Sequence, residues 1–206
     1  MIPLPLQELR GLGRLDGDAE TVTGVQIDSR RVQQGDLFVA VRSGVAYLDD
    51  ARARGASATL VPEDDFAALA AIGRAARSRF EARVVAITGS VGKTSTKDIL
   101  AALLHANGVR VVAAEDGYNN EVGLPLTLCR AEADTEVVVT EMGMRGLGQI
   151  RALAEIARPH IGLITSIAPV HLELLGSIEN IARAKAPKVP FRCAIDTPRS
   201  IMKQST

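Results

Sequence analysis

The stretch VVAITGSVGKTSTKDILAALL, residues 84–104, decides how this chain is read. Val84, Val85, Ala86 and Ile87 form a β-branched and small apolar run typical of a buried parallel strand, and the run stops at Gly89 and Gly92. Lys93, Thr94 and Ser95 then open a segment in which Ile99, Leu100, Leu103 and Leu104 recur at helical spacing. A tight turn therefore joins a strand end to a helix start. Backbone N–H groups at a helix N-terminus lack internal partners and carry about half a positive charge, so an anion is held there before any side chain acts. Gly89 and Gly92 let the backbone approach phosphate oxygens and adopt dihedrals that a side chain forbids, with Ser90 and Val91 between them. Lys93 supplies a mobile point charge for terminal phosphates, and the Thr94 hydroxyl suits the magnesium ion that travels with them. The general phosphate-loop pattern has a glycine where this chain has Ile87, so the loop is a shorter variant; an ordinary glycine turn with a surface lysine is the competing reading.

Composition permits a real core, since 47% of the 206 residues are hydrophobic. Formal net charge is zero, which argues against nucleic acid or an anionic membrane as the main partner. Cys129 and Cys193 lie far apart and form no metal-binding or redox pair, as fits a reducing compartment. The N-terminus MIPLPLQELRGLG has no long apolar run and reads as neither a signal peptide nor a spanning helix, so a cytoplasmic location is expected.

The preceding region reads as a separate small α/β unit. Leu4, Leu6, Leu9 and Leu12 suggest a short amphipathic helix, residues 22–27 a strand, and residues 37–41 a second, buried strand. Between the strands stand Asp28, Ser29 and Arg30, a carboxylate, a hydroxyl and a planar cation suited to a sugar, a uracil edge and a diphosphate. On spacing alone a solvated turn closed by a local salt bridge fits them better. A helix over 48–54, a strand over 58–61 and a helix over 66–79 complete this unit. After the loop helix come a strand at 109–113 and the segment EDGYNNEVGLPLTL, which is either a polar connecting turn or a ligand loop at the carboxyl edge of a sheet. Residues 136–140 read as a central strand ending at Glu141, whose carboxylate would be costly to bury without a metal partner. A helix over 149–158 and a strand over 161–165 follow. His171, like most lone histidines, fits a structural role as well as a ligand's. Pro187 and Pro190 would end a helix carrying Lys185, and residues 187–206 read as a disordered tail.

ITGSVGKTSTK resembles the nucleotide loop of the Mur ligases, the ATP-dependent enzymes that build the peptide stem of bacterial cell-wall precursors. DSRRVQQGDLFVAV is similar to the signature of that family's N-terminal domain, which holds the uridine nucleotide end of the substrate, although the loop that follows, at 43–47, is short. YNNEVGLPLTL, EMGMRGLGQI and APVHLELLGSIENIARAK resemble three further motifs in the family's order. Ser90, Val91 and Lys97 look most like the last ligase of the series, which joins D-alanyl-D-alanine to UDP-N-acetylmuramoyl-tripeptide.

The resemblance implies an α/β fold: a UDP-substrate domain over 1–81, then a partial, mostly parallel-sheet ATP domain over 82–186. It implies that Gly89, Ser90, Val91, Gly92, Lys93, Thr94, Ser95 and Asn120 bind ATP, and that Thr94 and Glu141 ligate one magnesium ion. His171 and a carbamylated Lys185 would ligate a second, with Lys93, His171 and Lys185 as the catalytic set and Asp28, Ser29 and Arg30 on the UDP substrate. The implied chemistry passes through an acyl phosphate that the D-alanyl-D-alanine amine attacks. Family members continue through the rest of the ATP domain and a third domain, so this chain is expected to be truncated, with an exposed apolar sheet edge that favours association. No obligate protein partner is expected. The alternatives are a nucleotide- or UDP-sugar-binding remnant without turnover and a sibling ligase adding the third amino acid.

Overall fold

The computed structural model describes residues 1–169 and 176–186, with the backbone of 192–195. The chain divides into two compact units, one of Met1–Glu81 with Glu121–Thr135 and one of Ala82–Asn120 with the residues from Glu136 onward.

In the first unit a four-stranded sheet has the order β2 (Gly13–Asp16), β6 (Ala58–Pro62), β5 (Asp36–Val39), β4 (Gly24–Gln26). Only the β2–β6 pair is antiparallel. The helix expected from Leu4, Leu6, Leu9 and Leu12 does not form. Leu4–Pro5 is a short strand, β1, paired with β3 (Thr21–Val22), and Leu6–Leu9 is a 3-10 turn. Pro5 precedes this turn in an extended conformation, and Leu4, Leu6 and Leu9 are buried without a continuous α-helix. The strand expected over 22–27 is broken at Thr23, whose N–H turns to the Gly35 carbonyl. Helix α1 (Leu48–Ala53) and helix α2 (Asp65–Arg77) follow the sequence reading, and the Asp64 carboxylate caps α2 by accepting from the Phe66 and Ala67 amides. All seven residues of α4 (Gly123–Cys129) are buried, and this helix packs on α2 within the first unit.

The second unit is a five-stranded parallel sheet in the order β11 (Arg192–Ile195), β10 (Ile161–Ile164), β7 (Arg83–Thr88), β9 (Val137–Glu141), β8 (Val111–Ala113). β7 is therefore the centre, with Val84, Ala86 and Ile87 buried. β11 falls within the tail read as disordered; pairing with the edge of β10 orders its backbone where no periodicity signalled a strand. The remaining descriptions of the tail, and His171, lie outside the described residues.

Helix α3 (Lys93–Ala106) turns Lys93, Thr96, Lys97, Leu100, Ala101 and Leu104 towards the sheet, but Ile99 and Leu103 remain about 60% exposed. Helix α5 (Gln149–Ala157) buries Ile150, Leu153 and Ile156, and helix α6 (Ile178–Lys185) buries Ile181, Ala184 and Lys185.

Candidate nucleotide site

The carboxyl ends of β10, β7 and β9 lie side by side, and the glycine turn leaves the middle strand between them. Gly89 has φ +149°, and a Cβ there would stand 1.9 Å from Thr165 Oγ1. Gly92, at φ +86°, is the N-cap of α3 and brings no side chain to the helix end. Both glycines stand at positive φ, as the sequence indicated, and Gly89 also lets Thr165 approach closely.

The loop is braced from β10. The Ser90 amide donates to the Ser166 carbonyl at 2.9 Å, and the Val91 amide to Ser166 Oγ at 3.0 Å. Thr165 Oγ1 donates to the Val91 carbonyl at 2.6 Å, and Ser90 Oγ accepts from the Ala168 amide at 2.9 Å. Ser90 and Val91 therefore spend their amides on the protein. The donors left for an anion are those at the start of α3, at Lys93, Thr94 and Ser95, which no helix can satisfy internally.

Two ammonium groups converge on one carbonyl. Lys93 Nζ donates to the Gly89 oxygen at 2.9 Å, and Lys185 Nζ donates to the same atom at 3.0 Å. Lys185 is only 4% exposed; burial and the neighbouring Lys93 charge push it down from 10.5 to about 8. Among the described residues no carboxylate forms an ion pair with either lysine.

Next to Lys93 in sequence, Thr94 Oγ1 donates to Glu141 Oε2 at 2.9 Å. Glu141 is buried at the end of β9, and its other oxygen, Oε1, accepts from Asn119 Nδ2 at 3.1 Å. One hydroxyl and one buried carboxylate whose partners among the described residues are neutral donors fit magnesium, which keeps waters and takes its remaining ligands from substrate phosphates. Asn120, the asparagine singled out in the sequence, is the exposed neighbour of Asn119. An Asn-Asn pair does not say which side chain faces the crevice. Lys97, 3% exposed, donates to the Ala114 carbonyl at 2.9 Å and pairs with Asp98 and Asp116, tying α3 to the loop that leads to Asn119. Thr165, Ser166 and Ala168 carry no motif of their own; only the β10–β7 pairing reveals them.

In the first unit, Asp28 caps a 3-10 turn and accepts from Arg30 Nε at 2.9 Å and Nη2 at 2.7 Å. The Arg30 guanidinium holds the Asp28 carboxyl down at about 2. The local salt bridge considered from the spacing is thus present, with the Arg30 side chain 80% exposed. Ser29 is buried, and its hydrogen bond to Asp50 holds that carboxyl below the ordinary carboxylate range.

Residues 87–187 match the family model described as the Mur ligase middle domain. Over 183 residues the chain is 38% identical to UDP-N-acetylmuramoyl-tripeptide--D-alanyl-D-alanine ligase of Synechocystis sp., covering 80% of this chain and 40% of that protein. The crystal structure of MurF from Acinetobacter baumannii matches with TM-score 0.76 at 27% identity, over 89% of this chain and 45% of that one. MurF ligase from Thermotoga maritima in complex with ADP matches with TM-score 0.67 at 32% identity, over 79% of this chain and 42% of that one. The chain spans about two fifths of the length of the curated relatives it matches.

Proposed function

Residues 87–187 place this chain in the Mur ligase family of ATP-dependent amide ligases, and on that premise we propose that it binds ATP with magnesium on the turn between β7 and α3. The reaction served is the joining of D-alanyl-D-alanine to UDP-N-acetylmuramoyl-tripeptide in the cytoplasm. The observation that carries this reading is the pairing of Thr94 with the buried Glu141, next in sequence to Lys93, at a helix start whose first amides have no partner among the described residues.

In this reading the α3 amides and Lys93 hold the β- and γ-phosphates, with Asn120 beside them, and Thr94 and Glu141 hold one magnesium ion. When bound, magnesium neutralises phosphate charge and aligns the transferring group. Lys93 leaves the Gly89 carbonyl to follow the phosphate, while residues 165–168 keep the loop in shape. Transfer of the γ-phosphoryl group to the terminal carboxylate of the tripeptide gives an acyl phosphate; the amine of D-alanyl-D-alanine displaces phosphate and forms the amide. Orientation and charge neutralisation supply most of the acceleration.

Lys185 is suited to carbamylation. With its pKa near 8 a substantial fraction is neutral amine at mildly alkaline pH. That amine adds to carbon dioxide, an N–C bond forms, one proton leaves, and an anion replaces a cation beside Lys93. Together with His171 this carbamate would ligate a second magnesium ion. Asp28, Ser29 and Arg30 would take the UDP end, with Arg30 exchanging its Asp28 partner for diphosphate.

The test is ATP binding by the full chain and its Lys93→Ala variant, followed by ADP release with both substrates. Loss of nucleotide affinity in the variant is expected; equal affinity refutes the site. Because the chain spans two fifths of its relatives, nucleotide binding without turnover is a second reading. Binding with no ADP release above background selects it, and release with the dipeptide precursor in place of the tripeptide would indicate a sibling ligase.

A further inference from the structure

Glu141 can serve a cation only if its carboxylate is aimed. A glutamate side chain has three rotatable bonds, and at the end of a strand nothing in the backbone fixes its carboxylate. Here both oxygens are engaged, Oε2 by Thr94 and Oε1 by Asn119. Asn119 is itself held at a second point, since its carbonyl accepts the Gly143 N–H at 2.6 Å. The residue is therefore clamped to positions 141 and 143 of the same segment, by side chain and by main chain. A Cβ at Gly143 would stand 3.3 Å from three Asn119 atoms, so glycine lets the clamp close. The far side of the loop is fixed as well: the Glu115 carbonyl accepts the Tyr118 amide across a turn with Gly117 at φ +79°, and Lys97 holds the Ala114 carbonyl.

We propose that Asn119 is the positioning residue of the magnesium site, holding Glu141 Oε1 so that Oε2 faces Thr94 and the cation, with Gly143 as its anchor. This rests on the nucleotide reading above. A neutral amide serves the purpose better than a cation would: it donates to the carboxylate without neutralising it, so the full negative charge remains for the metal.

The test is the affinity of the full chain for ADP, measured calorimetrically with and without magnesium, in the unchanged protein and in Asn119→Ala, Gly143→Ala and Glu141→Ala. The ratio of the two affinities isolates the contribution of the metal. Asn119→Ala is expected to reduce that ratio roughly tenfold while leaving magnesium-free affinity unchanged, and Gly143→Ala, which removes no donor, to reduce it in the same direction. If Asn119→Ala fails to unfold cooperatively, Gly143→Ala decides alone. A ratio kept by Asn119→Ala but lost by Glu141→Ala overturns the positioning role and leaves the nucleotide site standing, as does an equal loss with and without magnesium. Failure of the unchanged chain to bind ADP at all overturns the nucleotide reading and the inference together.

Discussion

Replacing Lys185 with methionine should make the protein as stable or more stable at neutral pH, and the gain should disappear as pH rises. Burial of the protonated ammonium, and after it the neighbouring Lys93 charge, hold its pKa at about 8 instead of the ordinary 10.5. At about 1.4 kcal/mol per pH unit, the charged form costs the fold roughly 1–3 kcal/mol, the lower figure allowing for water that still screens the site. Below pH 8 both folded and unfolded chains carry the proton, and the cost is constant. Between pH 8 and 10.5 the unfolded chain keeps a proton that the folded chain has lost, so stability of the lysine protein rises with pH; above 10.5 the cost is gone. Methionine keeps the length of the side chain without the charge, and the Gly89 carbonyl retains Lys93 as its donor. Urea unfolding of both proteins from pH 7 to 10.5, in buffer free of carbon dioxide, gives the difference at each pH. A difference that does not change with pH, or one that grows in favour of methionine, refutes the reasoning. Bicarbonate added at pH 8 should stabilise only the lysine protein, if the amine takes up carbon dioxide as proposed.

Gly89→Ala should cost roughly 2–4 kcal/mol, because its Cβ meets Thr165 Oγ1 and its backbone stands at φ +149°. Adding Thr165→Ala should recover part of that loss in a double-mutant cycle, whereas additive losses would contradict the contact. Thr88 Oγ1 is buried without a hydrogen-bond partner among the described residues, so Thr88→Val should leave stability unchanged or raise it by about 1 kcal/mol in denaturant titrations. Burial pushes the Cys129 thiol up to about 12, and a thiol reagent should label it only as the protein unfolds; labelling at the rate of a free thiol in native buffer would contradict that burial. With Ile99 and Leu103 exposed on α3, Leu103→Lys should change stability by less than about 0.5 kcal/mol and reduce any self-association seen by light scattering.

The glycine turn was legible because each residue in it answers to a local demand: β-branched residues for the strand, glycines for positive φ, a lysine and hydroxyls at the helix start. Glu141 was legible for a similar reason, standing where a run of valines stops. What the sequence did not carry is lateral order. That β10 and β9 flank β7 is set by pairing across the sheet, so the bracing role of residues 165–168 had no local sign. Asn119 and Asn120 are alike in sequence, and only the fold reveals that Asn119 donates to Glu141 and accepts the Gly143 N–H. The four apolar residues of α3 share its period, yet Leu100 and Leu104 are half-buried while Ile99 and Leu103 face outward. At the N-terminus, leucine spacing suggested a helix, but Leu4 found a strand partner in Val22 instead.

Helix α4 has a consequence for how the polypeptide can be made and cut. The first unit is assembled from two pieces of sequence separated by β7, α3 and β8. On the ribosome, residues 1–81 emerge with the α4-facing side of α2 still bare, and they must wait for some fifty more residues before their missing helix arrives. A gene split after codon 81 would yield a sticky half-product, whereas one that grafts residues 121–135 back through a short linker should give a product that folds alone.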